Sequence, residues 1–293
     1  MELILTLDVG TTSVKACLFD RQLRQTALTS REYALQTRGV CAEVEAQVYL
    51  DAAAQCILSL PAEARARVCA VALTTQGETL LCVDRQGKAL RPAIVWLDSR
   101  AEAQAARLAA ALDRQRFYER TGLPELSGAL PLAKLLWLRE QEPELWAQTD
   151  KFLLLEDYLM LWLTGRAVTE KSLLTSTGYF DLQSDDYWDE ALALAELDRT
   201  RLPQALACGS IVGPVLPEVA EALGLPASAC VVTGAMDQTA AALAAGCTRP
   251  GTLCETTGTA MVAAAFTAHP QFSEDHHVTI YRHAMPGAYL YLP

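Results

Sequence analysis

Two short apolar runs, at residues 3–7 and 14–19, flank the segment Asp8-Val9-Gly10-Thr11-Thr12-Ser13-Val14-Lys15. Runs of this length, interrupted by a glycine and hydroxyl residues, read as two strands joined by a tight turn. The turn gathers an acid, a glycine, three hydroxyls and a lysine. Backbone N–H groups, hydroxyls and a cation can hold an anion such as a nucleotide phosphate, while the acid organises a metal. Taken alone, the segment reads first as an ordinary hairpin with a polar turn.

A recurrence near the other end narrows the choice. Leu253-Cys254-Glu255-Thr256-Thr257-Gly258-Thr259-Ala260-Met261-Val262 is again strand, Gly-Thr turn, strand. Aligning Gly258-Thr259 on Gly10-Thr11 sets Thr256 opposite Asp8 and Ala263 opposite Lys15, so the second hairpin keeps the turn without the two charges. Two such hairpins, each opening its own α/β unit, predict two domains facing each other across a cleft. One would hold the metal side of a nucleotide and the other would close on its terminal phosphate.

Composition limits the setting. Of 293 residues, 51% are hydrophobic and 20% charged, enough for a substantial core and too apolar for global disorder. The net charge of −11 argues against a general nucleic-acid or anionic-membrane surface, so any phosphate site is a local feature. No window of about 18 uninterrupted apolar residues occurs, and no membrane span is expected. Glu2 and Asp8 break the pattern of a signal peptide. The nine cysteines form no C-x-x-C pair and lie mostly in apolar segments, as buried, reduced thiols of a cytoplasmic protein would. His269, His276, His277 and His283 show no zinc-type spacing.

The first third reads as a three-stranded meander (3–7, 14–19 and about 25–35), a helix within 46–60, a buried strand at 68–74 and another at 79–83. That alternation predicts an α/β fold with a mixed sheet. Residues 101–112 favour a helix by propensity. The stretch 132–196 is helix-rich, with Pro143 suited to a first turn and Gly165 ending the apolar run 153–163. Trp137, Trp146, Trp162 and Trp188 read as packing residues. A further buried strand at 231–233 ends at Gly234, and Asp237 stands where a helix N-cap belongs.

Taken in order, these segments resemble the FGGY carbohydrate kinases, the sugar-kinase branch of the actin-like ATPase superfamily. The resemblance runs along essentially the whole chain. It is carried by the hairpin at 8–15, Thr74-Thr75-Gln76-Gly77-Glu78, Ala93-Ile94-Val95-Trp96-Leu97-Asp98-Ser99-Arg100 and Ala133-Lys134-Leu135-Leu136-Trp137-Leu138-Arg139. Leu163-Thr164-Gly165, Leu202-Pro203, Ile211-Val212-Gly213 and Gly234-Ala235-Met236-Asp237-Gln238 complete the order. The resemblance implies an α/β, ribonuclease H-like (actin-like ATPase) domain over 1–247, with a mixed sheet and flanking helices. The opening strands of a second such domain would occupy 248–293.

The implied reaction is ATP-dependent phosphorylation of a sugar or polyol hydroxyl, with Mg2+. Asp237 would be the general base, although an acid at a helix N-terminus is expected to be held as the anion and so to be a weak base. Asp8 would organise magnesium through water. Gly10, Thr11, Thr12 and Lys15 would approach ATP phosphates from one side, and Gly258 and Thr259 from the other. Gln76, Gly77 and Glu78, leaving a strand's carboxyl end, would bind substrate together with Gln238. Trp96, Asp98 and Arg100 would be structural or at the pocket edge. Glycerol kinases carry an arginine where Gly77 stands and an aromatic residue within 122–135, and xylulose kinases usually carry Met-His-Gly in the loop. These departures leave the sugar open.

The family's adenosine-binding glycines belong to a C-terminal half. After the second hairpin only one further strand is expected, near 278–282, giving a three-stranded sheet open on one face. The chain is therefore expected to be a truncated kinase, weakly active or inactive by itself, or one that packs its last strands on a second copy as a homodimer. Two other readings stay open. An actin-like ATPase would need the hairpins but not Gln76–Glu78 or Asp237-Gln238. A non-catalytic sugar-binding remnant would keep affinity and lack turnover.

Overall fold

The computed structural model describes residues 2–257, 261–273 and 278–292. Its centre is a six-stranded mixed sheet. The strands lie in the order Ile211–Pro214, Cys230–Met236, Val68–Thr75, Leu3–Val9, Ser13–Phe19 and Gln25–Glu32. The middle three are parallel and the outer pairings antiparallel. Alternate residues Leu3, Leu5, Leu7 and Val9 point into the core, as strand periodicity requires. Leu5, Leu7, Val14 and Val71 are wholly excluded from solvent, each worth about 1.5–3 kcal/mol of transfer free energy.

The helix Ala46–Leu58 covers this core with Tyr49, Ala53 and Ile57, and is tied down where Thr29 Oγ1 donates to the Cys56 carbonyl at 2.7 Å. The helix Leu155–Thr164 adds Leu159, Met160 and Leu163 to the same core. It ends at Gly165 with a left-handed φ of 70°, the expected stop. The apolar run before it does not start as helix. Residues Lys151–Leu154 form a strand, and the Asp157 carboxylate accepts the Leu154 N–H at 2.7 Å where the chain turns helical.

The run at 79–83 also differs from expectation. Leu80–Val83 leaves the central sheet and joins a five-stranded antiparallel one with Gln36–Arg38, Cys41–Val44, Ala93–Ile94 and Lys151–Leu154. Only a four-residue connection separates it from Val68–Thr75, too short for a crossover helix to return it parallel. All four of its residues are buried, Leu81 and Val83 in the first core and Leu80 and Cys82 in a second core built on the helices Glu102–Ala111, Arg114–Thr121 and Pro131–Gln141.

The last segment forms four strands rather than three. Their order is Leu253–Thr257, Met261–Thr267, Tyr289–Leu292 and Thr279–Arg282, all antiparallel. Tyr289–Leu292 inserts between the two expected partners, with Leu290 fully buried. The sheet docks on the helical layer at Gly122, whose carbonyl accepts the Ile280 N–H at 2.8 Å. A Cβ at Gly122, where φ is 76°, would lie 2.2 Å from the Ile280 oxygen, so only glycine permits this approach.

All nine cysteines are free, but burial is not uniform: Cys17, Cys56, Cys82 and Cys247 are buried and Cys69 is exposed. No helix among the described residues is long and apolar enough to cross a membrane.

Candidate active site

Three parallel strands deliver the polar residues to one edge of the sheet. In register, Asp8 lies opposite Thr74, and Thr74 opposite Ala235, so Asp8, the 76–78 segment and Asp237 emerge side by side. The turn after Asp8 is closed by Gly10 N–H donating to the Ser13 carbonyl at 3.0 Å. Tyr33 braces it from below, its hydroxyl donating to the Gly10 carbonyl and its N–H to the Thr12 carbonyl. Trp96 Nε1 donates to Thr11 Oγ1 at 2.9 Å. Lys15 pairs with Asp8 across the hairpin at 3.3 Å, and both side chains are exposed enough for the pair to add little stability.

Gln76 extends the strand pairing by donating its N–H to the Val9 carbonyl at 3.1 Å. Its side-chain amide reaches the Tyr49 hydroxyl at 3.4 Å, leaving the buried Oε1 without a protein partner. Gly77 is confined: a Cβ there would meet Ser176 Oγ at 3.0 Å and Met236 Sδ at 3.2 Å. Glu78 then adopts a left-handed φ of 60°, which costs a non-glycine residue about 1 kcal/mol. The fully buried Lys134 holds that turn, its Nζ donating to the Val95 carbonyl at 3.0 Å and the Glu78 carbonyl at 3.4 Å. Burial pushes the Glu78 carboxyl well above its usual range. Lys134 and the Ser176 hydroxyl oppose the rise, and Asp237 adds to it. Burial pushes Lys134 in the other direction, resisted by Glu78.

Asp237 owes its position to a β-bulge. The register against Val68–Thr75 slips between Val232 and Ala235, and a Cβ on Gly234 would sit 1.4 Å from the Leu73 carbonyl oxygen. The carboxylate of Glu156 accepts the Gly234 N–H at 3.0 Å, and Ser172 Oγ accepts the Met236 N–H at 3.1 Å. Asp237 is the first residue of the helix Asp237–Ala244, with Met236 at the cap position expected for Asp237. The expected stabilisation of its anion by the helix N-terminus does not prevail either. Burial raises the carboxyl to about 6, Asp8 contributes to the rise, and the Gln238 N–H, donated at 2.6 Å, offsets only part. An eight-residue helix offers one such N–H, too little against burial beside two other acids.

These groups border a cavity of about 350 Å³. Thr11, Gln76, Gly77, Glu78, Asp237 and Gln238 line it, as do Trp96, Met236, Val262 and Tyr281. Gly258 and Thr259 lie outside the described residues, as do His276 and His277. Thr12 is exposed at the hairpin turn. Asp98 and Arg100 belong to the framework. Burial works against the Asp98 anion, but hydrogen bonds from Arg100 and from the Ala42 and Arg100 N–H groups prevail and hold it below the usual range. Arg100 in turn pairs with Glu43 at 2.6 Å. Sequence reasoning missed Tyr281, which a strand of the last sheet brings beside Glu78 and Asp237, so that burial and both acids suppress its ionisation. It also assigned no role to Lys134 or Ser176. Only Lys134 had a signal, a cation within a strongly apolar helix.

A cavity of about 650 Å³ lies elsewhere, near Lys171 and Arg199, but both cations are paired with Asp185 and Asp186. Among the described residues no three His, Cys, Asp or Glu side chains gather as a metal cage. A single exposed carboxylate such as Asp8 suits magnesium, which typically takes one or two carboxylates and fills its shell with phosphate oxygens and water.

Comparison with known proteins bears on the family and the fold. The N-terminal domain of the FGGY family of carbohydrate kinases matches residues 3–244. The chain is 30% identical to the xylulose kinase of Lactococcus lactis over 98% of its own length and 58% of that protein. It is 26% identical to the gluconokinase of Bacillus subtilis over 95% of this chain and 54% of that one. The crystal structure of xylulose kinase from Rhodospirillum rubrum superposes with a TM-score of 0.93 at 29% identity, over 99% of this chain and 60% of that one. The mixed sheet with flanking helices is thus the actin-like ATPase fold, and the chain spans under three-fifths of the curated relatives just named. The chain belongs to the FGGY family of carbohydrate kinases.

Proposed function

We propose that this site phosphorylates a hydroxyl of a sugar or polyol at the expense of ATP. The observation that carries the reading is the pairing of Glu78 and Asp237 on one cavity beside the Asp8–Lys15 hairpin. Asp237, held at about 6, is ionised at neutral pH yet more basic than an ordinary aspartate, so it can accept the proton of the attacking hydroxyl. Glu78 accepts hydrogen bonds from substrate hydroxyls, and Gln76 and Gln238 orient the rest of the molecule. Thr11, Thr12 and Lys15, with the backbone at Gly10, would hold the phosphates, and Asp8 would organise Mg2+. Gly258 and Thr259 would close from the other side. Bound ATP supplies the phosphoryl group and magnesium neutralises its charge. The protein's share is positioning and electrostatic stabilisation, because phosphoryl transfer proceeds through a loose transition state.

A cavity of this size with two carboxylates and two amides favours a small polyhydroxylated substrate over an ATPase that acts on a partner protein alone. The test is thermal shift of the 293-residue chain with D-xylulose and a panel of polyols, with and without Mg-ATP, alongside ADP release. Stabilisation by a sugar alone is expected, and Asp237→Asn should retain it within a few-fold while ADP release disappears. Stabilisation by Mg-ATP with no response to any sugar would refute the kinase reading in favour of the ATPase.

A further inference from the structure

Relatives of this chain carry names that imply neutral sugars and names that imply sugar acids. We propose that this pocket takes a neutral sugar or polyol and rejects a sugar acid, because its described walls supply two carboxylates and neutral hydrogen-bonding groups but no cation. The inference rests on the kinase reading and narrows its substrate class. Among the described residues lining the cavity, Glu78 and Asp237 alone are charged. The neutral polar groups are the amides of Gln76 and Gln238, the Thr11 hydroxyl, the Trp96 indole and the Tyr281 phenol.

Among the described residues, the neighbouring cations are committed elsewhere. Lys134 is fully buried behind the Glu78 backbone, bonded to the Val95 and Glu78 carbonyls. Lys15 pairs with Asp8, Arg100 with Asp98 and Glu43, and Arg282 with Asp185. Position 77 is glycine and brings no charge to the pocket, and a Cβ there would press on Ser176 Oγ at 3.0 Å and Met236 Sδ at 3.2 Å. A sugar carboxylate, ionised at neutral pH, would lose water here and find no ion partner among the described residues, beside two acids already raised by burial, with Asp237 adding to the rise of Glu78 and Asp8 to that of Asp237. Hydroxyls are suited to the same surroundings. Each can donate to Glu78 or Asp237, and charge-assisted bonds of that kind are among the stronger ones. Tyr281 can donate or accept as the substrate requires.

The test is calorimetric titration of the 293-residue chain at neutral pH with D-xylulose, xylitol and D-gluconate, repeated on Glu78→Gln and Asp237→Asn. Cooperative unfolding of each variant is checked first. The neutral probes should bind the wild type at least about ten-fold more tightly than gluconate. That ratio should narrow several-fold in at least one of the near-isosteric variants, through a gain in gluconate affinity. Equal or tighter binding of gluconate by the wild type overturns this inference alone. A ratio unchanged in both variants overturns it too, since charge would then not be the discriminator. Binding of none of the probes, with or without Mg-ATP, overturns it together with the kinase reading.

Discussion

Replacing Asp237 by Asn should make the protein more stable, and by an amount that depends on pH. The carboxyl is held near 6 in the fold against 3.8 when free. Between those two values the folded chain keeps a proton that the unfolded chain has released, so stability falls as pH rises through that window and the full cost is present above it. A gap of roughly two pH units corresponds to about 3 kcal/mol. Asp237 is half-buried, and solvent screening brings the expected effect to about 1–2 kcal/mol. Asn carries no such cost, and its side-chain oxygen can still accept the Gln238 N–H. The variant should therefore match wild type near pH 4 and exceed it by about 1–2 kcal/mol at about pH 7.5. For a chain of this size that is about 2–8 °C in Tm. Urea unfolding of both proteins across this range measures it. A constant difference at all pH values, or a less stable variant at neutral pH, would show that the fold accommodates the Asp237 anion without strain, and the account of its basicity would fail.

Gly234→Ala should lose about 3 kcal/mol or more, because its Cβ must displace the Leu73 carbonyl from the bulge. Urea unfolding showing a loss below about 1 kcal/mol would contradict that packing. Glu78→Gly relieves the left-handed backbone and should raise stability by about 1 kcal/mol while the thermal shift with sugar is lost. A variant that still responds to sugar as the wild type does would remove Glu78 from the binding residues. Lys134→Met removes the cation that opposes the rise in Glu78, so the acidic limb of sugar binding should move to higher pH, as read by titration across pH. An unmoved limb would leave Lys134 a packing residue. Trp96→Phe forfeits the indole bond to Thr11, worth about 1 kcal/mol, and should abolish most of any sugar-dependent change in tryptophan fluorescence.

Much of this architecture is local and so was legible before any coordinates. The meander, the helix at 46–58, the stop at Gly165 and the second hairpin follow from period-2 and period-3.6 patterns and from glycine placement. Tyr289–Leu292 was missed as a strand, although its alternation is plain once Leu290 is seen to be buried, because a run so near the last residue reads as a tail. Leu80–Val83 reads as a strand without a placement, since four buried residues carry no facing preference and pairing is decided by partners far along the chain at Lys151–Leu154.

The site divides in the same way. The sequence alone determined which residues stand at the strand ends, because Asp8, Gln76–Glu78 and Asp237-Gln238 each follow an apolar run and stand close to a glycine, Gly10, Gly77 and Gly234. Whether those acids are charged, which neighbours confine them and that Tyr281 joins them were decided only by tertiary structure. Ionisation depends on desolvation and on charges summed over every element packed nearby. Here those elements come from six separate stretches, at Asp8, Glu78, Lys134, Ser176, Asp237-Gln238 and Tyr281, and no local pattern encodes that sum.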